Sequence, residues 1–124
     1  MTDIWPSEIK FVRATQTLEI DFDDGTRASL PAEYLRVESP SAEVQGHGAG
    51  PKQLVTGKRD VTIDAVEPIG NYAVRLRFSD GHDTGLYSWS YLHLLGREQA
   101  ARWADYLKRL DAAGARRDPA MSRA

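Results

Sequence analysis

Asp80, Gly81, His82 and Asp83 are consecutive, and together they offer two carboxylates and an imidazole, the donors that Fe(II), Mn or Zn accept. With His47 or His93 folded alongside, this group could complete a metal site that takes iron or zinc. A facial triad would need two histidines and a carboxylate converging from rigid strands, whereas His47 falls in a glycine-rich stretch and His93 on a short helix. The second reading of the same residues is a turn, with Asp80 bonding its own backbone and His82 half exposed. Asp21, Asp23 and Asp24 form another acidic group, but at a hairpin tip and without the 12-residue loop and closing Glu of a calcium site, so they read as a solvated turn. Gly46 to Lys52 is glycine-rich yet lacks the strand-to-helix setting and the hydroxyl residue of a phosphate loop. Ser88 and Ser90 flank Trp89 without a nucleophile elbow. No catalytic template is present, and the expectation is a protein that is not an enzyme.

The scaffold around Asp80 is sharply patterned. Val74, Leu76 and Phe78 alternate with Ala73, Arg75 and Arg77, and Asp80-Gly81 supplies the turn of a hairpin. Ile9 to Val12 and Leu18 to Phe22 read as an earlier hairpin, and Asp24-Gly25 turns it into a third strand ending near Leu30. Pro31 to Arg36 carries a helix-start signature, repeated at Ser39-Pro40-Ser41-Ala42-Glu43 with Ser39 as N-cap. Gln45 to Gly57 reads as a mobile loop. Val61, Ile63 and Ala65 restart the sheet, and from Arg97 a helix places Ala100, Trp103, Ala104, Leu107 and Leu110 on one face. The expected fold is a small α+β domain rich in antiparallel hairpins, with short helical turns and a C-terminal amphipathic helix. It spans residues 1–113, with 114–124 a disordered tail.

Aligning Asp24-Gly25 with Asp80-Gly81 reveals a weak repeat. The offset from Gly25 to Gly81 is 56 residues, which pairs Leu18 with Val74, Ile20 with Leu76, Phe22 with Phe78 and Leu30 with Leu86. Duplication and convergence on hairpin chemistry both account for it. If the two halves repeat one unit, Gly25 and Gly81 are expected at positive φ in equivalent hairpin turns. Trp89 is expected in the core beside Tyr72 and Phe78, because aromatic side chains dominate burial in small domains. Arg75 and Arg77 fall on the opposite strand face, where with Lys58 and Arg59 they form either a strip for an acidic partner or a solvated surface.

With 16 Lys and Arg against 18 Asp and Glu, the net charge of −2 provides no global basic field, and the basic C-terminus lacks interleaved aromatics, so nucleic acid is not an expected partner. No window approaches a membrane span, and the N-terminus lacks the pattern of a secretory signal. The absence of cysteine removes disulfides and thiolate ligands and suits a cytoplasmic location.

The runs LPAEYLRVESPSAEV and DVTIDAVEPIGNYAVRLRFSDGHDTGLYSW resemble the DUF971 family, related to the N-terminal domain of gamma-butyrobetaine hydroxylases, over roughly Ile9 to Leu95. The resemblance implies an accessory domain rather than the catalyst. Members also occur fused to P-loop ATPases of the iron–sulfur carrier type, so a protein partner of that kind and a role in handling iron or iron–sulfur proteins are implied. In the hydroxylases the equivalent domain holds zinc through three Cys and one His. Here Ser39, Ser41 and Val44 stand at the thiolate positions and His82 at the imidazole position, so no cofactor is expected and packing or a hydrogen-bond network takes the place of the metal.

Overall fold

The computed structural model describes residues 4–40 and 54–118, and in it the two period-two segments become two copies of one unit. In the first, β1 (Pro6–Val12), β2 (Thr17–Phe22) and β3 (Arg27–Pro31) form an antiparallel sheet in that order, and α1 (Ala32–Val37) follows. In the second, β4 (Ile63–Ile69), β5 (Ala73–Phe78) and β6 (Leu86–Ser88) repeat the arrangement, followed by α2 (Trp89–Arg97) and α3 (Gln99–Ala112). This is the expected α+β class. Leu18, Ile20 and Phe22 enter one shared core with their counterparts Val74, Leu76 and Phe78, none more than 4% exposed.

The two Asp-Gly turns are the same object. Phe22 N–H donates to Thr26 O (2.9 Å) and Gly25 N–H to Phe22 O (3.0 Å); Phe78 N–H donates to His82 O (3.0 Å) and Gly81 N–H to Phe78 O (3.0 Å). Gly25 and Gly81 sit at φ +88° and +90°, where a side chain would be strained. Beyond the turns the expected alignment slips by one residue. Leu18 faces Leu30, but Val74 faces Tyr87 rather than Leu86. An extra residue within Asp83–Gly85, which lies outside the ladder, moves every later side chain to the other face. Leu30 and Tyr87 are therefore fully buried, and Leu86 is 45% exposed.

With the offset corrected to 57 residues after the turn (Tyr34 to Tyr91), contacts between the halves become reciprocal. Tyr34 Oη donates to Leu95 O (2.7 Å), and its counterpart Tyr91 donates to Glu38 O (2.5 Å), the counterpart of Leu95. Arg36 on α1 binds Asp80 of the second turn (2.8 Å), and His93 on α2 binds Asp24 of the first (2.9 Å). A Cβ on Gly96 would lie 2.7 Å from Ala28 Cβ, and one on Gly85 would lie 2.5 Å from Ser39 Oγ. Exchanging the halves turns each contact into its partner, the signature of an approximate internal twofold.

Five further expectations need correction. Tyr72 is 55% exposed rather than core, because it occupies the β4–β5 turn, and Trp89 is half-buried at the core's edge with Nε1 donating to Asn71 O (2.8 Å). Phe78 is buried as expected. On α3 the buried face is Tyr106 and Leu110 with Trp103 beside them, while Ala100, Ala104 and Leu107 face outward. Tyr106 is buried because its hydroxyl reaches Val55 O (2.7 Å), a polar tip that a count of aliphatic positions overlooks. Residues 114–118, expected in a frayed tail, are fixed: Gly57 and Arg59 N–H donate to Arg116 and Arg117 O (both 2.9 Å), and Arg117 grips Glu33 through two bonds (2.9 and 2.7 Å). Ser39 and Pro40 are not helical, and the rest of that expected turn, the glycine-rich Gly46 to Lys52 run and residues 119–124 lie outside the described residues.

Candidate functional site

The aspartate of the second turn is met by two cationic side chains. Asp80 Oδ1 accepts from His82 N–H (3.2 Å), closing the local ring that makes aspartate favourable here. Its Oδ2 accepts from Arg36 Nε (2.8 Å) and Lys58 Nζ (2.6 Å). Burial pushes the Asp80 carboxyl up, but the Lys58 ammonium, the His82 N–H and the Arg36 guanidinium outweigh it and hold the pKa at about 2. Arg36 Nη1 is buried beside this pair, without a hydrogen-bond partner among the described residues. His82 is 8% exposed, its Nε2 lying 2.8 Å from the hydroxyl of the fully buried Ser39.

Ser39 and His82 are the residues that resemblance places at one thiolate and the imidazole of the hydroxylase zinc site, and here they meet in a hydrogen bond. Ser41, Val44 and His47 lie outside the described residues. Asp83 is half-buried, and among the described residues no bond joins it to this cluster. His93 is held by Asp24 of the other turn, and its ring meets Phe22 edge-on at 5.0 Å. No group of three or more His, Cys, Asp or Glu among the described residues is arranged to hold a metal ion. The arrangement around Asp80 and His82 pins a turn to α1 and to the strand-free segment carrying Lys58.

Two further buried acids escaped the sequence. Glu38, 2% exposed, binds Arg102 Nη1 (2.9 Å), and Glu33 binds Arg117, which also stacks on Trp103 at 5.2 Å. Their partners lie 64 and 84 residues away, so no local pattern announces them. They anchor α1 to α3 and to the C-terminal segment.

The expected basic strip is also partly neutralised. Arg75 pairs with Glu67 (2.7 Å) and Arg77 approaches the same carboxylate at 3.9 Å, whereas Lys58 turns to Asp80 and Arg59 to Asp118 (2.5 Å). Arg75 and Arg77 therefore share one counter-charge on the outer face of the second sheet. Leu86 lies opposite Arg75 on that face, and Ser88, two residues on, opens onto a cleft of about 280 Å³ walled by Ile4, Trp5, Tyr72 and Trp89. Trp5 is 42% and Tyr72 55% exposed. One surface thus runs from an aromatic cleft across an exposed leucine to two arginines. The sequence signal for it was the surplus of aromatics around Asn71 and Trp89, read as core.

Among the described residues no helix is long and apolar enough to cross a membrane. The family model for the gamma-butyrobetaine hydroxylase-like N-terminal domain matches residues 9–93. Two protein structures solved by NMR in solution are each 49% identical to this chain: one, with TM-score 0.81, covers 95% of this chain and 93% of its own, and the other, with TM-score 0.80, covers 100% and 96%. A crystal structure of a DUF971 protein of unknown function from Acidithiobacillus ferrooxidans is 43% identical with TM-score 0.62, covering 73% of this chain and 91% of its own. No curated protein matches the chain.

Proposed function

The chain belongs to the gamma-butyrobetaine hydroxylase-like N-terminal family, also designated DUF971, and from that premise we propose that it is a non-catalytic accessory module whose activity is the binding of another protein. The observation that carries this reading is the continuous surface of Trp5, Tyr72, Trp89, Leu86, Arg75 and Arg77. Tryptophan, tyrosine and arginine are the side chains that interface centres concentrate, because they bury large areas at low entropic cost and still satisfy polar tips. A fitting partner presents an apolar side chain to the cleft and carboxylates to the arginines. Family fusions favour a P-loop ATPase of the iron–sulfur carrier type in the cytoplasm, which would place the module in the handling of iron or iron–sulfur proteins.

Calorimetry of the purified protein with the iron–sulfur carrier ATPase of its own host tests the reading. Tyr72→Ala, and separately the Arg75→Glu/Arg77→Glu pair at low salt, should each weaken binding about tenfold while leaving the fold intact. Absence of binding, or binding indifferent to all three substitutions, overturns it. Iron-dependent conversion of 2-oxoglutarate to succinate that is abolished by His82→Ala would replace it with an enzyme.

A further inference from the structure

One of the places where the described halves depart from the internal twofold is a cavity. A space of about 220 Å³ opens between the first turn and the end of α2, bounded by Phe22, Thr26, Arg27, Ala28, His93 and Arg97. At the equivalent place in the second half stands the His82 imidazole, its Nε2 2.8 Å from Ser39 Oγ and its ring centroid 6.1 Å from that of Phe78. Thr26 stands where His82 stands, and Gly96 where Ser39 stands. The Thr26 hydroxyl turns back to Asp24 (2.6 Å) and Gly96 offers no side chain, so the ring-sized volume stays open.

Among the described residues Arg97 is the charged group at this opening that no ion pair holds, whereas Asp24 and Arg27 are both engaged. Asp24 accepts from the Thr26 N–H (3.0 Å) and hydroxyl and is bonded to His93 (2.9 Å), and the Thr26 bonds and His93 hold its pKa at about 2. Arg27 spends Nε and Nη2 on Asp21. Arg97 makes no ion pair among the described residues, and it is exposed at the mouth. An apolar wall of Phe22 and Ala28 beside an unanswered guanidinium suits an anion with a flat apolar body.

We propose that this cavity binds a small aromatic carboxylate, its ring lying where the His82 imidazole lies in the other half and its carboxylate on Arg97, with the remaining N–H groups of Arg27 beside it. The site shares no residue with the proposed docking surface, so neither reading depends on the other.

Benzoate is the probe, followed by amide chemical shifts of the full chain. Saturable shifts are expected at Thr26, Ala28, Gly96 and Arg97, with benzamide about tenfold weaker and Arg97→Gln weakening benzoate by a similar factor without affecting benzamide. The substitutions Thr26→His, Ala28→Gly and Gly96→Ser together rebuild the packing of the second half and should abolish binding. Should that triple variant lose its dispersed spectrum, exposed Arg97→Gln carries the test alone. Lack of saturation by about 20 mM benzoate, a millimolar site being the weakest that a ring and one ion pair would make, overturns the proposal. So does equal affinity for benzamide, equal binding of inorganic phosphate, or indifference to Arg97→Gln.

Discussion

The first half of the molecule answers its turn aspartate with one histidine and leaves a cavity beside it, whereas the second answers the equivalent aspartate with Arg36 and Lys58 and sets His82 and Ser39 at the equivalent place. The backbone frame is common to both: the same turn bonds, the same glycine at positive φ, and the same tyrosine reaching the end of the opposite helix. Such a frame specifies where a carboxylate, a helix and a small residue meet, and it leaves open what occupies the space between them. The resemblance to a zinc-binding domain falls on the second half. There the two residues that the resemblance places at ligand positions meet in a hydrogen bond. The exposed aromatic surface also belongs mainly to the second half, because Tyr72 projects from its β4–β5 turn and Leu86 was turned outward by the one-residue slip.

Removing the turn carboxylates should separate the halves most strongly. Asp80→Asn leaves Arg36 and Lys58, only 11% and 22% exposed, facing an amide in place of an anion. A cost of about 2 kcal/mol is expected, between the small worth of a surface pair and the 3–5 kcal/mol lost on breaking a fully buried one. Asp24→Asn should cost less, since the site is open to solvent. Acid should show the same order. The Asp80 carboxyl is depressed from its ordinary 3.8 to about 2, so its contribution is fully present above the unfolded value and is lost as pH falls through the folded one. Urea midpoints of the two variants and the parent, followed from pH 7 to 2, should converge between Asp80→Asn and the parent at the acid end. Equal losses in both variants at neutral pH would mean that the two turns are energetically alike.

A smaller effect is expected where the halves touch through glycine. Gly96→Ala drives a methyl against Ala28, and overpacking of this kind costs about 1–3 kcal/mol, reduced by the better helix propensity of alanine to a net loss of about 1 kcal/mol. Adding Ala28→Gly recreates the combination that the second half uses at Gly85 and Ser39, with the small residue moved across the contact. Thermal denaturation should show the double variant recovering most of the loss. If Ala28→Gly instead adds its own penalty, the contact is not the reciprocal of Gly85 with Ser39, and the twofold ends short of the helices' last turns.

The parts of this frame that repeat at short range were legible in the sequence. Alternation of Val74, Leu76 and Phe78 and the two Asp-Gly turns located the buried face and both left-handed glycines, because period and turn chemistry act locally. The slip after His82 left no mark, since Asp83, Thr84 and Gly85 are polar or small and Leu86 and Tyr87, adjacent and both apolar, offer either face a large side chain. Tyr72 lies outside and Tyr106 inside for a similar reason: hydropathy ranks them alike, and only the distant Val55 carbonyl and the turn position decide which is buried. Glu33, Glu38, Arg102 and Arg117 pair across the whole chain, and Ser39 with His82 across 43 residues, so the candidate site was visible as a set of residue types but not as bonds.

The smallest effect should come from the β–β turns that open each half. Gln16 at φ +53° sends its side-chain carbonyl to the backbone N–H of Ile63 (2.8 Å), tying the first hairpin to the second sheet, whereas the corresponding position in the second half is the exposed Tyr72. Gln16→Ala would strip a partly buried N–H of its acceptor and should cost about 1 kcal/mol. Tyr72→Ala removes a ring that is mostly in water, and its effect should fall within about 0.5 kcal/mol of zero. Denaturant midpoints measured side by side decide the point. A loss at Tyr72 as large as that at Gln16 would show that the aromatic cleft contributes to the fold and would weaken its assignment as a docking surface. A silent Tyr72→Ala that still reduces partner binding would confirm that the two turns, equivalent in the frame, have parted into one that holds the halves together and one that faces outward.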